Sequence, residues 1–159
     1  MTAFDTYLDA IIVRAENEAR DEGSATIEAQ HLLLAIAGER ETGTHEILAS
    51  AGVDHRAIRD ALDREFEHSL SAVGVSRAAF DFPPPTGSSA QPKMAASAKL
   101  ALERGVASVA RKKELRPAHL LLGVLRAEVG TVPRALAMAG IDQVELRARV
   151  LRALTVEGE

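Results

Sequence analysis

Two histidines sit at matching places in a repeated motif, Gln30-His31-Leu32-Leu33-Leu34-Ala35-Ile36 and Ala118-His119-Leu120-Leu121-Leu122-Gly123-Val124. Imidazole can ligate a metal or move a proton. A helical metal site wants a second ligand at i+3 or i+4, and Leu34, Ala35, Leu122 and Gly123 fill those places. A structural role is therefore expected for both histidines, with no metal. His45, His55 and His68 are scattered at solvent-type positions. No GxSxG, HExxH or SxxK constellation occurs, and no GxxxxGK[ST] phosphate loop. The paired carboxylates Glu16/Glu18 and Asp60/Asp63 lie on Arg-rich stretches and read as solvated, salt-bridged helix faces. These patterns predict no catalytic residue and no cofactor.

The elements that position these residues are duplicated. The offset that carries His31 onto His119 also carries Ala51-Gly52-Val53-Asp54 onto Ala139-Gly140-Ile141-Asp142. Residues 19–66 align with 107–154 without a gap, about a quarter of the positions being identical. Leu8, Ile11, Ile12, Ala15 and Ala19 mark one stripe of a first helix, capped by Asp5 or by Thr6 with Asp9 and stopped at Gly23. The second helix, Glu28 to Glu39, carries three adjacent leucines about 100° apart, so it must be covered on most of its circumference. A third, His45 to Ala51, ends at Gly52. Asp54 caps a fourth with Ile58, Leu62 and Phe66 on one face. The second half repeats the plan. Ala98, Leu102, Val106 and Val109 stripe helix five, Pro117 opens helix six, Gly140 closes helix seven, and Asp142 with Glu145 caps helix eight, where Val144, Val150, Leu151 and Leu154 are the expected buried residues.

Composition narrows the class. The chain is 47% hydrophobic, but Phe4, Tyr7, Phe66, Phe80 and Phe82 are its whole aromatic set, which suits close-packed helices. Cysteine is absent, so neither a disulfide nor a thiolate metal site can form, and this fits a reducing cytoplasm. The acidic N-terminal stretch is no secretory signal, and no apolar run approaches the roughly 20 residues that span a bilayer. A net charge of −4 disfavours a sequence-independent nucleic-acid binder, and Arg111-Lys112-Lys113 reads as a solvated helix end. Between the halves, residues 71–92 form a Pro/Gly/Ser-rich linker. Phe80 and Phe82 either pin it onto the seam between halves or wall a partner groove.

The spacing from Phe4 through Ala15, Ala19, Gly23 and Ile27 to the HLLLAI helix and the AGVD turn resembles the N-terminal domain of Clp/Hsp100 unfoldases, in its ClpC-type pattern. Ala107, Leu115, HLLLGV and AGID resemble it again in the second half. The resemblance implies an all-α fold of two pseudo-twofold-related four-helix repeats, a double Clp N-domain of about eight helices. Repeats at 1–70 and 93–159 would make one compact domain. It also implies a non-catalytic receptor that passes substrates or adaptors to an ATPase ring. With no phosphate loop, the chain looks like a free-standing N-domain protein or a piece of a longer chaperone. In the ClpC branch a Gly-Thr-Glu-His signature supplies a glutamate that helps bind phosphorylated arginine; here Gln30 and Ala118 stand in its place. A carboxylate holds a guanidinium by paired charge-assisted bonds. Gln30 keeps at most one neutral bond and Ala118 none, so phosphoarginine recognition should be weak in the first half and absent from the second.

The leading expectation is a cytoplasmic, monomeric binding module for Clp substrates, adaptors or ring components, or a decoy and regulator of them. It is expected to touch neither nucleic acid nor membrane. Sequestration of cyclic-peptide antibiotics directed at ClpC is a variant of this reading. The candidate partner-binding residues are Phe4, Gln30, Phe80, Phe82 and Ala118. The alternatives are a small all-helical enzyme with an unrecognised site, or a helical DNA-binding regulator. Whether a groove lies between the halves or on one repeat is open at this level.

Overall fold

The structure, a computed structural model, describes residues 2–40, 42–74 and 91–157. Its helices are α1 (Ala3–Glu22), α2 (Ala29–Gly38), α3 (Gly43–Ser50), α4 (His55–Ala72), α5 (Ala96–Ala107), α6 (Pro117–Leu125), α7 (Thr131–Met138) and α8 (Gln143–Glu157). Two-residue strands β1 (Thr26–Ile27) and β2 (Lys93–Met94) pair in parallel, Thr26 opposite Lys93, and so stitch the entry of α2 to the entry of α5.

The leucine triplets act as their spacing demands. Every residue of 29–37 except Gln30 is buried, and so is every residue from Ala118 to Leu125. These two helices form the centre of the molecule and pack on each other as well as on their own repeats. Contacts between the halves come in exchanged pairs: α4 on α7 with α8 on α3, α2 on α5 with α6 on α1, α2 on α7 with α6 on α3. That exchange is the signature of a pseudo-twofold axis between two four-helix repeats. The connecting turns agree in detail. Val53 N–H bonds Leu48 C=O at 2.8 Å and Ile141 N–H bonds Leu136 C=O at 2.9 Å. Gly52 and Gly140 sit beside these bonds at φ 74° and 73°, where glycine alone pays no steric penalty. Asp54 and Asp142 then accept from the backbone N–H groups of Ala57 and Glu145.

Several expectations shift. The cap of α1 is Thr2, not Asp5 or Thr6: Thr2 Oγ1 accepts from Asp5 N–H while Asp5 accepts from Thr2 N–H, a reciprocal box. On α5 the buried residues are Ala98, Ala101 and Gly105; Leu102 is only half-buried, Val106 is 51% exposed, and Val109 lies past the helix end. The cause is backbone proximity. A Cβ on Gly123 would lie 2.1 Å from the Ala101 carbonyl oxygen, and one on Gly105 would lie 2.9 Å from that of His119. The smallest side chains therefore face α6. On α8, Leu146 and Val150 are buried, Leu154 is partly so, and Val144 and Leu151 are exposed. These positions repeat Ile58, Leu62 and Phe66, the single stripe that one packed face allows. On α4 itself Phe66 is exposed, while Glu65, 5% exposed, is buried beside it. Its carboxylate accepts from Arg134 Nε of α7 at 2.9 Å and from the Ser69 hydroxyl at 2.7 Å, which satisfies a charge that burial would otherwise penalise.

Candidate partner-binding site

Polar chemistry concentrates where α2 begins. The Glu28 N–H donates to His31 Nδ1 at 2.9 Å, so that nitrogen carries no proton, and the Nε2–H is assigned from this network as donor to the Glu22 carboxylate. His31 is thus a cap that ties α1's last turn to α2's first. The hydrogen bond from His31 holds the Glu22 carboxyl below the usual carboxylate range, against the opposing effect of partial burial. The Glu28 side chain accepts from the Thr26 hydroxyl at 3.1 Å and from the Ser97 hydroxyl of α5. Ser97 in turn accepts the Ala29 N–H at 2.9 Å, so the second repeat helps cap a helix of the first.

Beside this junction a cleft of about 420 Å³ runs along the seam between repeats. The start of α2 (Ala29, Gln30), the outward face of α5 (Ser97, Leu100, Arg104), the end of α6 (Val124), the loop 127–130 and the first turn of α7 (Val132, Pro133, Arg134) line it. Leu100 is 45% exposed, and Val129 stands more exposed still. The cleft joins an apolar floor to a few fixed polar groups, the usual character of a ligand site.

Of the candidate residues among those described, only Gln30 lines this cleft. Ala118 is buried one residue before His119, which caps α6 by accepting the Arg116 N–H at 3.0 Å. Phe4 lies on α1, half-buried against Tyr7 with ring centroids 6.3 Å apart. Phe80 and Phe82, with most of the linker, lie outside the described residues. His45 and His55 are less exposed than expected. His45 Nδ1 meets Ala37 C=O at 3.0 Å, while His55 joins Arg59 in holding Glu18, tying α4 to α1; His68 is exposed. Among the described residues no cluster of three or more His, Asp or Glu could hold a metal ion, and no helix is long and apolar enough to cross a membrane.

Leu100, Arg104 and Val132 were missed from sequence. Their signal was weak: Leu100 is an apolar residue off the expected stripe of its helix, and Arg104 is one cation among many.

A duplicated helical frame with an open apolar seam is the architecture of a helical binding module. The sequence pattern of the Clp repeat (R) N-terminal domain matches residues 3–109, and the chain belongs to that family. It is a Clp-associated binding module, a family whose partners are proteins of Clp chaperone systems. Among solved structures it is similar to the N-terminal domain of the caseinolytic-protease-associated chaperone ClpD from Arabidopsis thaliana. The two share 19% identity with a TM-score of 0.63, over 92% of this chain and 90% of that one. A structure from preliminary investigations of a malarial protein secretion system matches at 17% identity and TM-score 0.59, over 91% and 89%. At such identities the likeness shows the fold alone. No curated protein sequence matches the chain.

Proposed function

We propose that this chain is a non-catalytic receptor that docks peptides, adaptors or unfolded segments for a Clp chaperone-protease system in the cytoplasm. The observation that carries the reading is the seam cleft, an apolar groove between the two repeats beside a helix start fixed by Glu28, His31 and Ser97. Working alone as a monomer, it would compete with an unfoldase's own N-domain for the same ligands, as a decoy or regulator. Residues 71–92 would then join repeats 1–70 and 93–159. Cyclic peptides are a narrower ligand class for the same receptor, with half-buried Phe4 as an apolar contact outside the cleft.

Isothermal calorimetry with Clp adaptors, a denatured model substrate and a Clp ATPase ring tests the proposal. Binding to at least one of them is expected, and Leu100→Asp, an exposed change at the cleft wall, should weaken it at least tenfold by placing a charge against apolar surface. Absence of heat with all three at high micromolar concentration removes the reading.

A further inference from the structure

Arg104, on the last turn of α5, lines the seam cleft and is partly buried there. Among the described residues it has no hydrogen-bond or ion-pair partner. The other cation of the cleft, Arg134, is held by Glu65. The two acids differ as well: Glu28 already receives the Thr26 and Ser97 hydroxyls, and Glu128 is an exposed loop residue. The α5 wall therefore presents an uncompensated guanidinium beside the exposed apolar side chain of Leu100, four residues earlier on the same helix. A guanidinium fork matches a carboxylate by two parallel hydrogen bonds, and this gain rises in a partly desolvated site.

We propose that the cleft receives the C-terminal end of a polypeptide, with the terminal carboxylate on Arg104 and an apolar last side chain against the exposed Leu100. The proposal rests on the cleft being a peptide site. A chain terminus carries both groups on one Cα, whereas an aspartate or glutamate side chain offers the charge without the apolar arm. A volume of about 420 Å³ suits one such residue with its preceding backbone, not a docked helix. The first turn of α7 agrees with an anionic group here. Its N-cap is Gly130 with no side-chain cap, and Thr131 and Val132 of that turn line the cleft.

Fluorescence anisotropy on the full chain tests this with labelled Gly-Ser-Ala-Ala-Leu carrying either a free C-terminal carboxylate or a C-terminal amide. The free acid should bind about tenfold tighter than the amide, as expected of one charge-assisted bidentate contact. Arg104→Gln should collapse that difference, Arg104→Lys should keep part of it, and Leu100→Asp should weaken both peptides. Thermal melts confirm that each surface variant folds. Equal, measurable affinities for acid and amide would overturn the carboxylate assignment and leave the peptide site standing. No binding of either peptide would sink both. Displacement of the free acid by inorganic phosphate as readily as by unlabelled peptide would overturn the terminus in favour of a general anion site.

Discussion

At the start of α2 the Glu28 N–H bonds His31, and at the start of α6 the Arg116 N–H bonds His119, at 2.9 and 3.0 Å. The two caps are the same device, yet what surrounds them has diverged. Glu22, which engages His31, corresponds in the alignment to Ala110, and the cleft-lining Gln30 corresponds to buried Ala118. The helices before them differ too. α1 runs on to Glu22, while α5 stops at Ala107, the counterpart of Ala19. α1 also starts earlier, since Ala96 at the head of α5 corresponds to Leu8. Its extra turn carries Tyr7 towards Thr44, the counterpart of the cleft residue Val132. Duplication has thus preserved what each repeat needs in order to fold, while the surfaces where the repeats meet have been free to become unlike.

The sharpest break of that comparison is at the central helix contacts. Gly123 and Ala35 are equivalent, but only Gly123 faces a carbonyl that a Cβ would reach at 2.1 Å. Gly123→Ala should cost about 3 kcal/mol by forcing α5 away from α6, whereas Ala35→Gly should cost only about 1 kcal/mol, through backbone entropy and a lost methyl. Urea unfolding measures both, and equal costs would mean that the two helix pairs pack alike. Tyr7 gives the next effect. Its hydroxyl is buried with no hydrogen-bond partner of good geometry among the described residues, and burial pushes its pKa up to about 12 from 10.0. A raised phenol pKa favours the neutral form in the folded state, so its contribution is whole below pH 10 and is lost as pH rises from 10 towards 12. Tyr7→Phe should be neutral or slightly stabilising at pH 7, and should gain about 1–2 kcal/mol over the parent at the alkaline end. Parallel melting curves for the two proteins across that range would contradict the burial.

Much of this was legible in sequence because its causes are local. The leucine triplets, the AGVD and AGID turns and the Asp54 and Asp142 caps follow from helical spacing and from backbone groups only a few residues away. The family resemblance, carried by those same residues, gave the all-α double repeat. The buried face of α5 was not legible, because the spacing of apolar residues says nothing of how closely two backbones approach; Gly105 and Gly123 decide it. Nor was the burial of Glu65, which depends on an arginine in the other repeat. The cleft was hidden for the same reason. Gln30, Leu100, Arg104 and Val132 converge only after the halves dock, and no periodicity within one helix reports a seam. Sequence separated Gln30 from its symmetry mate Ala118 only by the bonds their side chains can make; docking also leaves one lining a cleft and the other covered.

The smallest effect tests the caps directly. The Glu22 side chain is 41% exposed, so solvent screens its bond to His31, and Glu22→Gln should cost less than about 1 kcal/mol at pH 7. The carboxyl pKa is lowered in the folded state from 4.5, so its contribution is present above that value and is lost as pH falls through the folded pKa. The parent and Glu22→Gln should therefore differ in urea midpoint at neutral pH and converge under acid.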